Sequence, residues 1–119
     1  MTARLTLRID FDDGRRLGPG KIALLEAIAA HASIAAAGRA HAMSYRRAWL
    51  LVDELNGMFD APLVATRPGG VNGGGAELTA RGRTIVALYR DAERKMRDGA
   101  MADAARIEEA LAKVGRAVL

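Results

Sequence analysis

Four consecutive residues concentrate the side chains best suited to chemistry: Ser44, Tyr45, Arg46 and Arg47. They offer two hydroxyls and two guanidinium groups at the head of an amphipathic segment. A guanidinium pairs bidentately with a guanine edge or a phosphate, and a hydroxyl bonds to either. A helix N-terminus also favours a phosphate oxygen. Behind them Ala48, Leu51, Val52, Leu55, Met58 and Phe59 repeat at three- and four-residue steps and so share one helical face. Arg46, Leu50 and Asp53 point the opposite way. Tyr45, Trp49 and Asn56 flank the stripe on one side, Arg47 and Glu54 on the other. The pattern predicts a reading helix over about 44–59, with its first turn free for a nucleic-acid partner. Tyr45 and Trp49 project together, either packed against the strand region or partly exposed at DNA; the expectation is packing for Trp49 and a phosphate contact for Tyr45.

A second helix must hold this one. Ser33 suits a cap, and Ile34 to Ala40 is mostly alanine, the best helix former, small enough for close helix approach. Ala42 and Met43 fall in the turn, and Ser44 caps the second helix. Ser33 to Phe59 therefore predicts a helix-turn-helix, whose second helix meets base edges with its N-terminal end.

Other chemistry is poorly supported. His31 and His41 are ten residues apart on different expected elements, and no cysteine or nearby carboxylate completes a metal set. Asp53 and Glu54 are adjacent and diverge around the helix. Ser33 and Ser44 lack an evident base and read better as caps than as nucleophiles. The Gly-rich stretch Pro68 to Gly75 lacks the lysine and Ser/Thr of a phosphate-binding P-loop. The expectation is no catalytic residue, no metal, no cofactor and no enzyme.

The 119 residues predict one modest core, built from aliphatic residues and alanine because aromatics make up only 4%. Cysteine is absent, which excludes a disulfide framework. No apolar run is long enough to span a bilayer, and Met1 to Asp13 has no signal-peptide pattern, so a cytoplasmic location is expected. The net charge is +4, but Gly14 to Arg47 carries six cations against the single acid Glu26. Such clustering supplies phosphate attraction, although an ordinary solvated arginine-rich surface reads the same way.

Along the chain, Leu5, Leu7, Ile9 and Phe11 alternate with polar residues, predicting a half-buried strand. Asp13-Gly14 signals a turn and Arg15 to Leu17 a short returning strand. Lys21 to His31 predicts the first core helix, with Ile22, Leu24, Leu25, Ile28 and Ala29 inward. After Asp60-Ala61-Pro62, Leu63 to Arg67 and Ala76 to Leu78 predict two strands around the glycine-rich 68–75 segment, the position of a wing. Arg67 and Asn72 are then placed for phosphate or minor-groove contacts. Thr79 predicts the next N-cap. Beyond it Ile85, Leu88, Tyr89, Ala92 and Met96 form one stripe. Asp98-Gly99 predicts a break, followed by a heptad-like seam of Ala104, Ile107, Leu111, Val114 and Val118. Both stripes could cover the monomer's own core; the expectation is instead a homodimer through Leu88, Ala92, Met96, Ile107, Leu111, Val114 and Val118, because a small winged helix already has three core helices. The division expected is a domain over 1–98 and a dimerisation segment over 99–119.

The segments ASIAAAGRAHAMSYRRAWLLVDELN and PLVATRPGGVNGGGAELTARGR resemble the DNA-binding domain of the ModE-type molybdate-responsive transcription regulators. The resemblance covers Leu5 to Arg97. A helix-turn-helix of similar spacing occurs in LysR-type regulators. The resemblance implies a mainly α fold with a small β component, a winged helix-turn-helix with an N-terminal hairpin and C-terminal dimerisation helices. It further implies a dimer on an inverted-repeat operator in double-stranded DNA, with Ser33, Arg39, Ser44, Tyr45, Arg46, Arg47, Arg67 and Asn72 at the interface. The family holds molybdate in a separate β-rich domain. The tail of this sequence reads as helix, so molybdate is not expected to bind this chain. The chain departs from the family pattern at Ala32, where glycine is common, and at His41 and Ala42, where leucine and glycine are common. A left-handed Ala42 would cost about 1 kcal/mol, and a histidine in a buried position would have to find a partner or lean outward. These departures motivate a rival reading, a winged-helix interaction module that no longer reads DNA.

Overall fold

The computed structural model describes residues 3–69 and 74–112. Four helices and two small antiparallel hairpins make up a mainly helical winged-helix fold. The first hairpin pairs β1 (Ile9–Asp10) with β2 (Arg16–Leu17). Its turn closes through Phe11 N–H to the Arg15 carbonyl at 2.8 Å, with Gly14 at a φ of +90°. The expected strand from Leu5 is paired only at Ile9–Asp10, because the partner strand ends at Leu17, where Gly18-Pro19 opens the next helix. The alternation survives without pairing: Ala3, Leu5, Leu7 and Ile9 are half-buried and their neighbours exposed. Phe11, expected on the inner side, is exposed where the hairpin turns.

Helix α1 (Pro19–His31) is the centre of the core, packing on every other helix and on the second hairpin. Pro19 starts it because a first-turn N–H has no intrahelical partner to lose. Ile22, Leu24, Leu25 and Ile28 are completely buried. Ala29, expected inward, is exposed; Ala27 takes the inner position. The helix ends at Ala32, which adopts the left-handed conformation at φ 54°. That turn directs the Ala32 carbonyl toward the second hairpin, where it accepts from Ala76 N–H at 3.0 Å.

Helix α2 (Ile34–Ala40) is capped by Ser33, whose oxygen accepts from Ala36 N–H. It terminates in a Schellman motif. Met43 N–H bonds to the Gly38 carbonyl at 2.9 Å, and Ala42 N–H bonds to that of Arg39 at 3.2 Å. The motif needs a left-handed residue, and Ala42 supplies it at φ 53°. His41 is exposed, so the histidine leans outward. A Cβ on Gly38 would sit 3.1 Å from the Ala48 side chain, so its absence lets α2 and the next helix approach closely.

Helix α3 (Tyr45–Met58) buries Ala48, Val52, Leu55 and Met58 and half-buries Leu51 and Phe59, the stripe expected from sequence. Two strands come next, β3 (Val64–Arg67) and β4 (Gly75–Leu78), in antiparallel register with Arg67 opposite Gly75. The wing tip, including Asn72, lies outside the described residues.

Helix α4 (Ala80–Glu109) starts at Thr79, whose oxygen accepts from Gly82 N–H while its hydroxyl donates to the Pro62 carbonyl. It runs unbroken for 30 residues, about 45 Å. The break expected at Asp98-Gly99 is absent. A single glycine costs only about 1 kcal/mol in a helix. Ion pairs spaced three and four residues apart, Asp91 with Arg94 and Lys95 and Glu93 with Arg97, support the turns before it. The inward face also differs from the expected stripe. Tyr89 and Glu93 are buried and Ile85 and Met96 half-buried, whereas Leu88 and Ala92 face outward. The core meets one edge of the stripe. Tyr89 donates to the Leu7 carbonyl at 2.6 Å, and Glu108 accepts from Ala3 N–H, so the extended N-terminal segment is tied to α4 at both ends. The helix ends at Glu109. Leu111 lies beyond it outside helical structure, and Val114 and Val118 lie outside the described residues.

Candidate nucleic-acid interface

The first turn of α3 stands out from the body. Ser44, Tyr45, Arg46 and Arg47 are all exposed. Ser44 is extended and its oxygen accepts from Arg47 N–H at 3.0 Å, which fixes the helix start. Leu50 and Asp53 continue the outward face beyond Arg46. The carboxylate of Asp53 repels a polyanion, so only the leading turns can approach one.

Each flank of α3 is braced. On one flank Asn56 accepts from the N–H groups of Leu63 and Val64 at 2.9 and 3.0 Å, and donates to the Val64 carbonyl at 3.1 Å. This locks β3, and hence the wing, to the helix. Thr79 and Arg81 add a second lock: the Thr79 N–H donates to Leu63, and Arg81 pairs with Asp60. On the other flank Arg15 donates to the Met58 carbonyl at 2.7 Å, where the negative end of the helix dipole favours a cation. Lys21 pairs with Glu54. Helical periodicity gives Asn56 only a flanking position; an amide near a helix end, with two strand residues after a proline, is the signal that identifies its role.

A groove of about 740 Å³ separates α3 from the wing, lined by Ser33, Tyr45, Trp49, Thr66, Arg67 and the glycines flanking the tip. Tyr45 is 59% exposed and Trp49 37% exposed, with rings edge to face at 6.2 Å. Trp49 thus borders the groove, where packing against the strands was expected. Ser33 uses its oxygen as a cap acceptor and still reaches the same groove. Arg67 lies over Gly75, where a side chain would collide with its guanidinium, and pairs with Glu77 at 3.4 Å. Both partners of that pair are mostly exposed, so it is weak and readily exchanged for another anion. Arg39 is exposed on the last turn of α2. The structure therefore brings Ser33, Tyr45 and Arg67 to one groove, and sets Ser44, Arg46 and Arg47 on the adjoining turn.

Of the residues expected at a dimer surface, Leu88 is 60% and Ile107 69% exposed, Leu111 and Ala92 are exposed, and Met96 is half-buried. Sequence reasoning missed the clamp between α1 and α4. Arg90 grips both carboxylate oxygens of Glu26 at 2.6 and 2.9 Å and reaches Glu93 at 2.8 Å. The Arg90 hydrogen bonds hold the Glu26 carboxyl below its usual range, and the two carboxylates raise the Arg90 value in turn. Among the described residues no cluster of His, Asp and Glu is arranged to hold a metal. No described helix is long and apolar enough to cross a membrane.

No family model matches the chain. Among curated proteins it is 44% identical over 91 residues to the molybdenum transport protein ModE of Azotobacter vinelandii, covering 76% of this chain and 33% of that protein. It is 34% identical over 89 residues to the DNA-binding transcriptional dual regulator ModE of Escherichia coli K12, covering 75% and 34%. It is 47% identical over 74 residues to the molybdenum-pterin-binding protein MopA of Rhodobacter capsulatus, covering 62% and 28%. The chain spans about a third of the length of these relatives. Identities of 34–47% over so much of the chain support a protein of the ModE family.

Proposed function

We propose that this chain is a sequence-specific DNA-binding transcription regulator of the ModE type. The observation that carries the reading is the exposed first turn of α3, with Ser44, Tyr45, Arg46 and Arg47 beside a β-hairpin wing. In this reading Arg46 points into the major groove and meets base edges, Tyr45 and Arg47 bond phosphates, and Arg39 and Arg67 add backbone contacts. Asn72, which lies outside the described residues, is assigned from the sequence to phosphate or minor-groove contact. The names of the Azotobacter and Rhodobacter relatives link them to molybdenum, and that of the Escherichia coli relative links it to DNA-binding regulation; we carry both to this chain as a molybdenum-related regulatory role.

The active species in this proposal is a homodimer. Leu88, Ala92, Ile107 and Leu111 leave apolar surface along the outer side of α4 and past its end, which a partner helix would cover. A clean monomer mass at micromolar protein contradicts this part.

The rival, an interaction module that no longer reads DNA, drew its motive from Ala32, His41 and Ala42. The helix-ending main-chain bonds form with those residues in place; Ala32 and Ala42 carry the left-handed strain and His41 is exposed. Binding to duplex DNA measured across salt concentrations separates the two. A DNA reader making several phosphate contacts loses affinity steeply with salt and prefers some sequences over others. Salt-insensitive binding to a protein, with no duplex preference, supports the rival.

A further inference from the structure

The interface proposed above uses α3 and the wing. The hairpin on the opposite flank of α3 carries a second basic surface. Arg16 on β2 and Arg47 on α3 line one cleft of about 320 Å³, together with Gly18, Lys21, Met43 and Leu51. Among the described residues no acid lines this cleft, although Glu54 pairs with Lys21 at its wall. We propose that it holds the sugar-phosphate backbone of the bound duplex on the side of α3 away from the wing. This rests on the DNA-binding reading and extends it to Arg16, which that reading does not use.

Three observations support the assignment. First, Arg16 is exposed and, with Arg39, Arg46 and Arg47, belongs to the arginines that have no acidic partner among the described residues. Arg8, Arg15, Arg67, Arg81, Arg90, Arg94 and Arg97 are all paired with carboxylates. Arg16, Arg39, Arg46 and Arg47 lie around the start of α3, whereas Arg4, Arg83 and Arg106, which also have no acidic partner among the described residues, lie elsewhere; no ion pair with a described residue offsets the four near α3.

Second, the main chain at Arg16 is held against α3. Its carbonyl accepts from Lys21 Nζ at 2.7 Å, and Lys21 pairs with Glu54 of α3. The neighbouring Arg15 is bonded to the far end of α3. Lys21 itself is only 17% exposed and is bonded to the Arg16 carbonyl and paired with Glu54, whereas Arg16 and Arg47 are exposed and have no acidic partner among the described residues.

Third, the spacing suits a duplex. An α-helix with side chains is about 10–12 Å across, and a major groove is about 12 Å wide. A helix inserted there has one phosphate strand on each side. The wing with Tyr45 and Arg67 lies on one flank of α3, and the Arg16–Arg47 cleft on the other.

The test uses the whole chain and two duplexes of about 30 base pairs: one enriched by the protein from random DNA, and a scrambled version of it. Arg16→Ala is compared with Arg16→Lys and with Arg94→Ala, a charge loss on α4 far from the cleft. All variants are first checked for native helicity. The expected result is that Arg16→Ala binds both duplexes several-fold more weakly by the same factor. The slope of log K against log salt should fall by about 0.9 for each Arg16 in the complex. Arg16→Lys should keep the slope, and Arg94→Ala should match the wild type. Wild-type affinity and slope in Arg16→Ala overturn the proposal while leaving the DNA-binding reading in place. An equal loss in Arg94→Ala reduces the effect to net charge and also overturns it. A changed sequence preference in Arg16→Ala overturns the phosphate assignment. Failure of the wild type to bind either duplex removes both readings together.

Discussion

Ala32→Gly and Ala42→Gly should each stabilise the protein. Both alanines sit in the left-handed region, at φ 54° and 53°, and end the two helices that precede α3. An L-residue with a Cβ pays about 1–2 kcal/mol for that conformation, whereas glycine adopts it freely. Against this, glycine gives the unfolded chain more freedom, worth about 0.4–1 kcal/mol. The net gain is about 0.5–1 kcal/mol at each site. The substituted positions keep their main-chain bonds: Ala32 to Ile28 and Ala76, Ala42 to Arg39. They lie at opposite ends of α2 with no shared partner, so the double variant should gain about 1–2 kcal/mol. Urea denaturation at one fixed protein concentration reads this directly. With a slope of about 2 kcal/mol/M, each single variant shifts the midpoint upward by about 0.3–0.5 M. Ala29→Gly, at an exposed position within α1, is the opposite control and should lose about 1 kcal/mol. If Ala32→Gly and Ala42→Gly lower the midpoint as Ala29→Gly does, the strain argument is refuted.

Three further outcomes are expected. Arg46→Ala should lower specific affinity by about 1–3 kcal/mol and relax preference at one base pair, while Arg47→Ala should weaken all duplexes about equally; an unchanged sequence preference removes Arg46 from the base-reading set. Gly82→Ala places a Cβ onto the Leu63 carbonyl at the wing base and should cost about 1–3 kcal/mol, so an unshifted urea midpoint contradicts the packing described there. Arg90 depresses the folded-state value of Glu26, so this pair's stabilisation is complete above the unfolded carboxylate range and is lost as pH falls through the folded value. Both groups are about 40% exposed, which limits the effect to under about 1 kcal/mol. Glu26→Gln should flatten the acid side of the stability profile, and an unaltered acid limb contradicts the linkage.

Local signals made much of the architecture legible. Ser33, Ser44 and Thr79 cap the helices they precede, because a hydroxyl beside a helix-forming run has one evident use. The apolar face of α3 comes from periodicity, and the two wing strands from their position on either side of the glycine-rich 68–75 segment. Features fixed by tertiary balance were not legible. Asp98-Gly99 reads as a break, yet one exposed glycine costs a helix only about 1 kcal/mol, and α4 continues through it. Tyr89 looks like one residue of a stripe, but its bond to Leu7 across the whole chain makes it the anchor of the N-terminal segment. At the candidate site, the exposed turn of α3 was legible because outward and inward positions separate cleanly on a helix. The outward placement of Trp49 was not, since an aromatic ring beside a strand usually packs on it. The basic cleft at Arg16 depends on how the hairpin docks on α3, which no local pattern encodes.

The most direct test of the central claim is a selection of binding sites from random duplex DNA with the purified 119-residue chain. The account predicts an enriched inverted repeat with half-sites one or two helical turns apart, about 10 or 21 base pairs centre to centre. No enriched sequence from folded protein at moderate salt would contradict it and turn the search to protein partners.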